Sequence, residues 1–165
     1  MIEHVINALK PQVFELLINA NRHLARYEQY GYPVVPDQND EYLGPLSGIL
    51  ASLQAAKTDY VFTAPCDAPL LHSEIVKRMW ENVSSEPSQP CVAHDGQRIQ
   101  PLFTLLHKNL IDNLQQFLNH GERKAEIWIT KLNPIIVDFS DQAECFININ
   151  QPDDLIRIEN RLKQP

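Results

Sequence analysis

The sequence has few glycines, few cysteines and no long apolar run. Its 165 residues include 5 glycines and 3 cysteines, and the 21 Asp and Glu residues outnumber the 14 Lys and Arg residues, for a net charge of −7. No stretch approaches the ~18 apolar residues of a membrane-spanning helix. Phosphate backbones and anionic membranes attract basic patches. We therefore expect no nucleic-acid partner and no membrane partner.

The cysteines and the first ten residues bear on the cellular compartment. Cys66, Cys91 and Cys145 are odd in number and widely spaced, which is typical of neither a disulfide framework nor a zinc site. Residues 1–10 (MIEHVINALK) contain no basic segment followed by a long apolar core, so they do not resemble a secretory signal. Both features favour a reducing, cytoplasmic location.

Hydrophobic spacing predicts strands that alternate with helices in a single domain over residues 1–165. Such alternation is typical of an α/β fold with a mostly parallel sheet and helices on both faces. A hairpin around Asp95 and Gly96, with Pro101 in its second arm, predicts an added antiparallel edge. Helices are predicted over 2–9, 24–30, 49–56, 74–83, 110–119, 122–132 and 150–162, and strands over 13–19, 34–35, 60–64, 91–94, 99–106, 135–139 and 145–149.

One carboxylate occupies a suggestive position. Residues 60–71 (YVFTAPCDAPLL) form an apolar, β-rich run that Pro65 and Pro69 close, which predicts a buried strand ending in a tight loop that carries Asp67. Taken alone, such an Asp more commonly caps a helix or fixes a turn. However, ligands of open α/β sheets bind outside the carboxyl ends of the strands. A carboxylate there is a natural ligand for Mg²⁺.

Polar side chains follow three other predicted strands. Asn19 follows the strand 13–19, Asp37 follows 34–35, and Asn148 and Asn150 lie at the end of 145–149. Because the carboxyl ends of parallel strands share one edge of the sheet, we expect these loops and the Asp67 loop to converge. Such convergence favours a ligand site over a chance arrangement.

Together, these loops carry a series of motifs that resembles one known family. The motifs occur in order at 19–23 (NANRH), 37 (D), 44–48 (GPLSG), 65–69 (PCDAP), 95–96 (DG), 138–141 (DFSD) and 148–152 (NINQP). They are similar, nearly from end to end, to the molybdenum cofactor guanylyltransferases, the molybdopterin-guanine dinucleotide biosynthesis protein A family. The resemblance implies a Rossmann-like nucleotidyltransferase domain. Its reaction would transfer GMP from GTP to molybdenum-bearing molybdopterin, with release of pyrophosphate.

The resemblance also implies roles for individual residues and partners. Asp67 would be the catalytic residue that holds Mg²⁺ at the nucleotide phosphates, while Asn19 and Asp37 would contact the nucleoside. Asn148 and Asn150 would line the molybdopterin side, with residues 95–101 nearby. Partners would be small-molecule substrates, other molybdenum cofactor maturation proteins and target apoenzymes. Such a transfer needs positioning and charge neutralisation rather than a side-chain nucleophile.

The sequence departs from this family at its beginning. Family members open with a strand and a Gly-rich loop bearing Arg and Lys, and residues 1–165 contain no such loop. The resemblance therefore implies an N-terminally incomplete chain that is a poor enzyme as given, with a slot of about 10 Å between residues 13–19 and 60–64. We expect distortion, poor solubility or pairing with another chain there. Two alternatives stay open: a related transferase that uses another nucleotide, and a non-catalytic paralogue that binds molybdopterin.

Overall fold

A computed structural model describes residues 1–37 and 44–147 and divides their strands between two sheets. The smaller sheet contains β1 (Ile18–Asn19) and β2 (Val34–Val35), which run parallel. The larger sheet has four strands in the order β3-β5-β4-β6. Its strands are β3 (Tyr60–Thr63), β4 (Cys91–His94), β5 (Ile99–His107) and β6 (Ile135–Asp138).

Six α-helices are found in the described part of the chain. They are α1 (Ile2–Leu9), α2 (Leu24–Glu28), α3 (Pro45–Ala55), α4 (Ile75–Trp80), α5 (Ile111–Asn119) and α6 (Ala125–Lys131). Helix α3 shows how the sequence sets a boundary. Pro45 occupies the first turn, where its missing N–H costs little, and Gly44 precedes it with φ of +77°.

Strand β5 separates two apolar cores, because its side chains alternate between the faces of the sheet. Phe103 and Leu105 pack with α4, whereas Leu106 packs with α3 and α5. Ile75 and Met79 are fully buried in the first core. The fully buried side chains of the second core include Leu46, Leu53, Leu114 and Ile129. Helices therefore cover both faces of the sheet, as the α/β prediction requires.

Sheet topology differs from the prediction in one respect. The antiparallel strand β5 lies inside the sheet, between β3 and β4, rather than at an edge. The register shifts between Val92 and Ala93, opposite the segment that contains Pro101. Proline cannot donate a hydrogen bond to a neighbouring strand, and the bulge accommodates that loss inside the sheet.

Two predicted strands are wrong in extent or type. Only Ile18–Asn19 of residues 13–19 is a strand, because residues 13–17 have no neighbouring strand in the described structure. The start of the predicted strand 145–149 belongs instead to a 3₁₀ segment, Ser140–Phe146. Phe146 packs edge-on against Phe103 and Phe139 there, at 4.9 and 5.7 Å between ring centroids, and these contacts favour the compact turn. The predicted helix 150–162 lies outside the described residues.

No helix among the described residues is both long and apolar enough to cross a membrane.

Candidate active site

A cleft separates the two sheets. It has a volume of about 880 Å³ and is open to solvent along part of its length. Residues 13–19 form one side and residues 58–67 the other, while α1 and α3 contribute apolar walls. We call this region the inter-sheet cleft. Asn19 and Asp67, which were predicted from separate motifs, both line it.

The ends of β1 and β2 are joined by a hydrogen-bonded cluster. Asn19 Nδ2 donates to Asp37 Oδ1 at 2.8 Å and to the Val35 carbonyl at 3.0 Å. Asn21 Nδ2 donates to Asp37 Oδ2 at 2.9 Å, and the Asp37 main-chain N–H donates back to Asn21 Oδ1 at 2.7 Å. The Asn19 carboxamide and the Asp37 carboxylate are therefore held in place without a ligand.

Sequence reasoning gave no individual role to two members of this region. Asn21 was only part of a motif, yet it fixes Asp37 from the side opposite Asn19. Gly48 was likewise only part of a motif, and a β-carbon at this position would lie 2.8 Å from Asn19 Cγ. Asn21 lies in the bend just after β1, and its place two residues after Asn19 in the same motif was the available signal for the first.

Asp67 lies in the turn that follows β3. It is half-buried and lines the inter-sheet cleft, and its carboxylate makes no hydrogen bond or ion pair with residues of the described ranges. The pKa of the neighbouring Cys66 thiol is raised by desolvation and, to a lesser extent, by the Asp67 charge. Cys66 is therefore poorly suited to act as a thiolate nucleophile at neutral pH.

The Asp67 carboxylate fits a Mg²⁺ ion whose other ligands are supplied by substrate phosphates. Mg²⁺ in nucleotide enzymes is commonly bound by one or two carboxylates together with phosphates and water. The described residues contain no cluster of three His, Cys, Asp or Glu side chains that could hold a metal on their own. A single unpaired carboxylate facing a ligand-sized cleft therefore suits a shared ion better than a self-sufficient metal site.

The cleft is acidic where it is charged. Glu15, Asp59 and Asp67 line it, and the described lining contains no Lys, Arg or His. Glu15 is held by Lys57 outside the lining, through an ion pair of 3.2 Å and a hydrogen bond of 3.1 Å from the Lys57 main chain. Counter-charge for a triphosphate is therefore not supplied by the described lining.

The predicted Asp95 region, which the structure describes, does not line the cleft. Asp95 closes its own hairpin by accepting hydrogen bonds at 2.8 Å from the main chain of Gln97 and Arg98. Desolvation opposes a lower pKa for Asp95, but these bonds and one from Gln100 outweigh it and keep the pKa low. The hydrogen bonds that Asp95 accepts within its own turn therefore give it a structural role. Asn148 and Asn150 lie outside the described residues, so their predicted place on the molybdopterin side stays a prediction.

Comparison with known proteins identifies the relatives of this chain. The family described as the MobA-like NTP transferase domain matches residues 1–135. The molybdenum cofactor guanylyltransferase of Shewanella woodyi is 45% identical over 153 residues, which cover 93% of this chain and 78% of the relative.

Solved structures with the same fold agree with this relationship. A protein from Aquifex aeolicus superposes with a TM-score of 0.80 at 24% identity, covering 91% of this chain and 78% of that one. The molybdopterin-guanine dinucleotide biosynthesis protein A of Archaeoglobus fulgidus superposes with a TM-score of 0.77 at 21% identity, covering 99% and 86%. These likenesses confirm the predicted nucleotidyltransferase-like α/β fold. The sequence identity, extending over nearly the whole chain, shows more: the chain belongs to the molybdenum cofactor guanylyltransferases, a family of nucleotidyltransferases.

Proposed function

We propose that the inter-sheet cleft is the site where GMP is transferred from GTP to molybdenum-bearing molybdopterin. One observation carries the proposal: the unpaired Asp67 carboxylate and the fixed Asn19 carboxamide line one cleft. In this arrangement, Asp67 holds the metal ion at the phosphates, and Asn19 and Asp37 contact the nucleoside. Family membership supplies the reaction; Asn19 and Asp67 line the cleft, and Asp37, which does not line it, is joined to it by the hydrogen bond from Asn19.

The protein's part in this reaction is positioning. Both amide hydrogens of Asn19 are committed to Val35 and Asp37, so the carboxamide loses little freedom when a nucleoside binds. Each Asp37 oxygen accepts one hydrogen bond from an asparagine and keeps a second lone pair for a nucleoside N–H or O–H.

Asp67 is the residue that would hold Mg²⁺ at the phosphates. The ion, when bound, neutralises charge on phosphate oxygens and helps align them for in-line displacement. Asp67 itself accepts hydrogen bonds only, because an ionised carboxylate carries no proton to donate. Its freedom from protein partners in the described structure leaves both oxygens available for this role.

The chain provides a matched pair of variants for the test. Asp67 and Asp59 flank opposite ends of β3 and both line the cleft, so Asp67→Asn and Asp59→Asn remove the same charge from the same cavity. We expect Asp67→Asn to lower formation of the guanine dinucleotide by roughly 10²-fold or more, a loss comparable to that of one electrostatic stabilising group. Asp59→Asn should stay within about twofold of the parent. Equal losses in both variants would contradict the assignment.

A binding measurement makes the test independent of turnover. Mn²⁺ can replace Mg²⁺, and its effect on water relaxation reports a metal–GTP complex bound to protein. Asp67→Asn should weaken that signal, while Asp59→Asn should keep it. Retention of the full signal by Asp67→Asn would remove Asp67 from the metal site.

A second candidate for this chain as given is a non-catalytic protein that binds molybdopterin. Three carboxylates and no described basic side chain line the cleft, which disfavours a triphosphate more strongly than the single phosphate of molybdopterin. Molybdopterin binding without GTP binding would support this candidate. Competition between GTP and CTP in the same assay would test the related transferase that uses another nucleotide.

We also infer a cytoplasmic protein that works with small-molecule substrates, with other molybdenum cofactor maturation proteins and with the apoenzymes that receive the cofactor. The three cysteines are all free, which is consistent with a reducing compartment.

A further inference from the structure

Strand β3 ends at a point where its main-chain hydrogen bonding to β5 cannot continue. The Lys108 N–H donates to the Asp59 carbonyl at 2.8 Å, so these two residues form a hydrogen-bonded pair. Hydrogen-bonded pairs recur at every second residue of an antiparallel ladder. With the observed register, the last such pair within β3 joins Thr63 to Thr104.

The next hydrogen-bonded position falls on a proline. Two residues beyond Thr63, the same register would pair Pro65 with Leu102. Pro65 has no N–H to donate to the Leu102 carbonyl. The Thr63 hydroxyl donates to that carbonyl instead, at 2.9 Å. A side chain therefore replaces the main-chain hydrogen bond that Pro65 cannot make.

Thr104 completes the pairing of the two hydroxyl groups. The Thr63 and Thr104 hydroxyl oxygens lie 2.9 Å apart, and Thr104 is fully buried. A hydroxyl carries one proton, and that of Thr63 is donated to Leu102. Thr104 therefore donates to Thr63. Both hydroxyl protons are then paired, as burial requires.

The turn that carries Asp67 is thus anchored at both ends. Thr63 holds its start against β5, and Ala68, which directly follows Asp67, is fully buried in the core that α4 covers. Pro65 restricts the main chain between these two anchors. Since no hydrogen bond or ion pair from the described residues holds the Asp67 carboxylate, the main chain of the turn decides where that carboxylate lies in the inter-sheet cleft.

We infer that Thr63 is a positioning residue for Asp67: its hydroxyl fixes the start of the turn and thereby the place where the carboxylate meets the metal ion. The inference rests on the proposed function for the metal role of Asp67, whereas the anchoring of the turn depends on the hydrogen bonds alone. A carboxylate held in place loses less conformational freedom on binding an ion than a mobile one does.

Three variants isolate the hydrogen bond from Thr63 to Leu102. Thr63→Val removes the hydroxyl and keeps the branched shape of the side chain, whereas Thr63→Ser keeps the hydroxyl. Thr104→Val is the matched control, because it removes an equivalent hydroxyl from the opposite strand and leaves the bond from Thr63 to Leu102 intact. Urea denaturation identifies conditions under which every variant is fully folded.

Backbone ¹⁵N relaxation measures the turn directly and needs no ligand. We expect the order parameters of Cys66 and Asp67 to fall from about 0.85 to below about 0.6 in Thr63→Val. Thr63→Ser and Thr104→Val should keep the parent values. A general loss of stability would lower the urea midpoint without a loss of order confined to this turn.

The effect on ion binding is measured by the water-relaxation signal of Mn²⁺ with GTP. Thr63→Val should raise the Kd of the bound Mn²⁺ about fivefold to tenfold, because the carboxylate must be ordered when the ion binds. Thr63→Ser and Thr104→Val should stay within about twofold of the parent.

The two measurements separate this inference from the proposed function. Retention of the full Mn²⁺ signal by Asp67→Asn would contradict the metal role of Asp67, and the order parameters would still decide whether Thr63 fixes the turn. An ordered turn in Thr63→Val would overturn the inference, as would an unchanged Kd for Mn²⁺ beside a loosened turn. Equal loosening by Thr104→Val, or no rescue by Thr63→Ser, would also overturn it, because the effect would then come from core packing.

Discussion

Gly48 makes room for the Asn19 side chain: a β-carbon at position 48 would lie 2.8 Å from Asn19 Cγ and still closer to Oδ1. Gly48 is buried within α3, and Asn19 ends β1. This contact couples a helix to a residue of the proposed nucleoside site. Any side chain at position 48 would have to displace the carboxamide.

Gly48→Ala should therefore weaken nucleotide binding while changing stability little. Alanine is favoured over glycine within a helix by about 0.5–1 kcal/mol, which partly offsets the loss of Asn19 hydrogen bonds worth about 1 kcal/mol each. We expect the free energy of unfolding to change by less than about 1.5 kcal/mol and the Kd for GTP to rise about tenfold. Isothermal titration calorimetry and urea denaturation measure the two quantities.

A double variant separates this mechanism from a general packing defect. If Gly48→Ala acts through Asn19, adding it to Asn19→Ala should weaken binding no further. Additive losses would show that Gly48 acts by another route.

Asp37→Asn should loosen the cluster at the ends of β1 and β2. The carboxylate accepts from two asparagine amides, whereas an asparagine at position 37 would direct its own NH₂ group against one of those donors. We expect the Kd for GTP to rise about threefold to tenfold. Asp112→Asn, on the exposed face of α5, removes the same charge away from the cluster and should leave the Kd unchanged. Similar effects of both substitutions would indicate net charge rather than local geometry.

Gln12→Ala should destabilise the attachment of the N-terminal helix. The Gln12 amide donates to Ala8 at 2.7 Å and its oxygen accepts from the Val76 N–H at 2.9 Å, so it joins the end of α1 to α4. Removing a partly buried group of this kind costs about 1–2 kcal/mol. Urea denaturation should show that loss. Gln115→Ala removes an exposed 3.2 Å bond within α5 and should cost less than about 0.5 kcal/mol.

Arg78 should control the ionisation of Asp141. Its guanidinium donates to both carboxylate oxygens at 2.9 and 3.0 Å and lies 4.6 Å from the centre of the Phe139 ring. The hydrogen bond from Arg78 keeps the pKa of Asp141 below its ordinary value, so Arg78→Ala should raise that pKa. Carboxyl titration by NMR measures the change. Lys77→Ala, which removes a neighbouring cation paired with Glu74, should leave the Asp141 pKa in place.

The sign of the pH dependence follows from the lowered pKa. Because folding lowers the pKa of Asp141, the pair stabilises the protein above the unfolded pKa, and this contribution is lost as the pH falls through the folded value. The stability difference between the parent and Arg78→Ala should therefore narrow below about pH 4. If the stability difference between the parent and Arg78→Ala grew at low pH, the result would contradict the pairing of Arg78 with Asp141.

Local patterns predicted the parts of the fold that depend on neighbouring residues. The apolar run of β3 and the turn carrying Asp67 depend on spacing and on proline, whereas α3 begins at Pro45, before the predicted start at residue 49. The interior position of β5 depends on which strands pair over long sequence separations. The spacing of apolar residues within one strand does not determine that pairing. Residues 13–17 have a strand-like composition, but a strand also needs a partner edge.

The sequence likewise predicted only part of the candidate site. Asn19, Asp37 and Asp67 were identified by their positions after strands, and the structure brings Asn19 to Asp37 and places Asn19 and Asp67 in one cleft. The support from Asn21 and the space above Gly48 depend on side-chain directions in three dimensions. Their roles in binding stay predictions until the variants above are measured.

Helix α3 contacts β1, β2 and β3, whereas no main-chain ladder joins the two sheets within the described residues. The smaller sheet of β1 and β2 can therefore detach as its own cooperative unit while the larger sheet remains intact. Warming should then erase affinity for the nucleoside at a lower temperature than it melts the protein as a whole. Thermal inactivation in this chain would begin as a separation of two halves of one site.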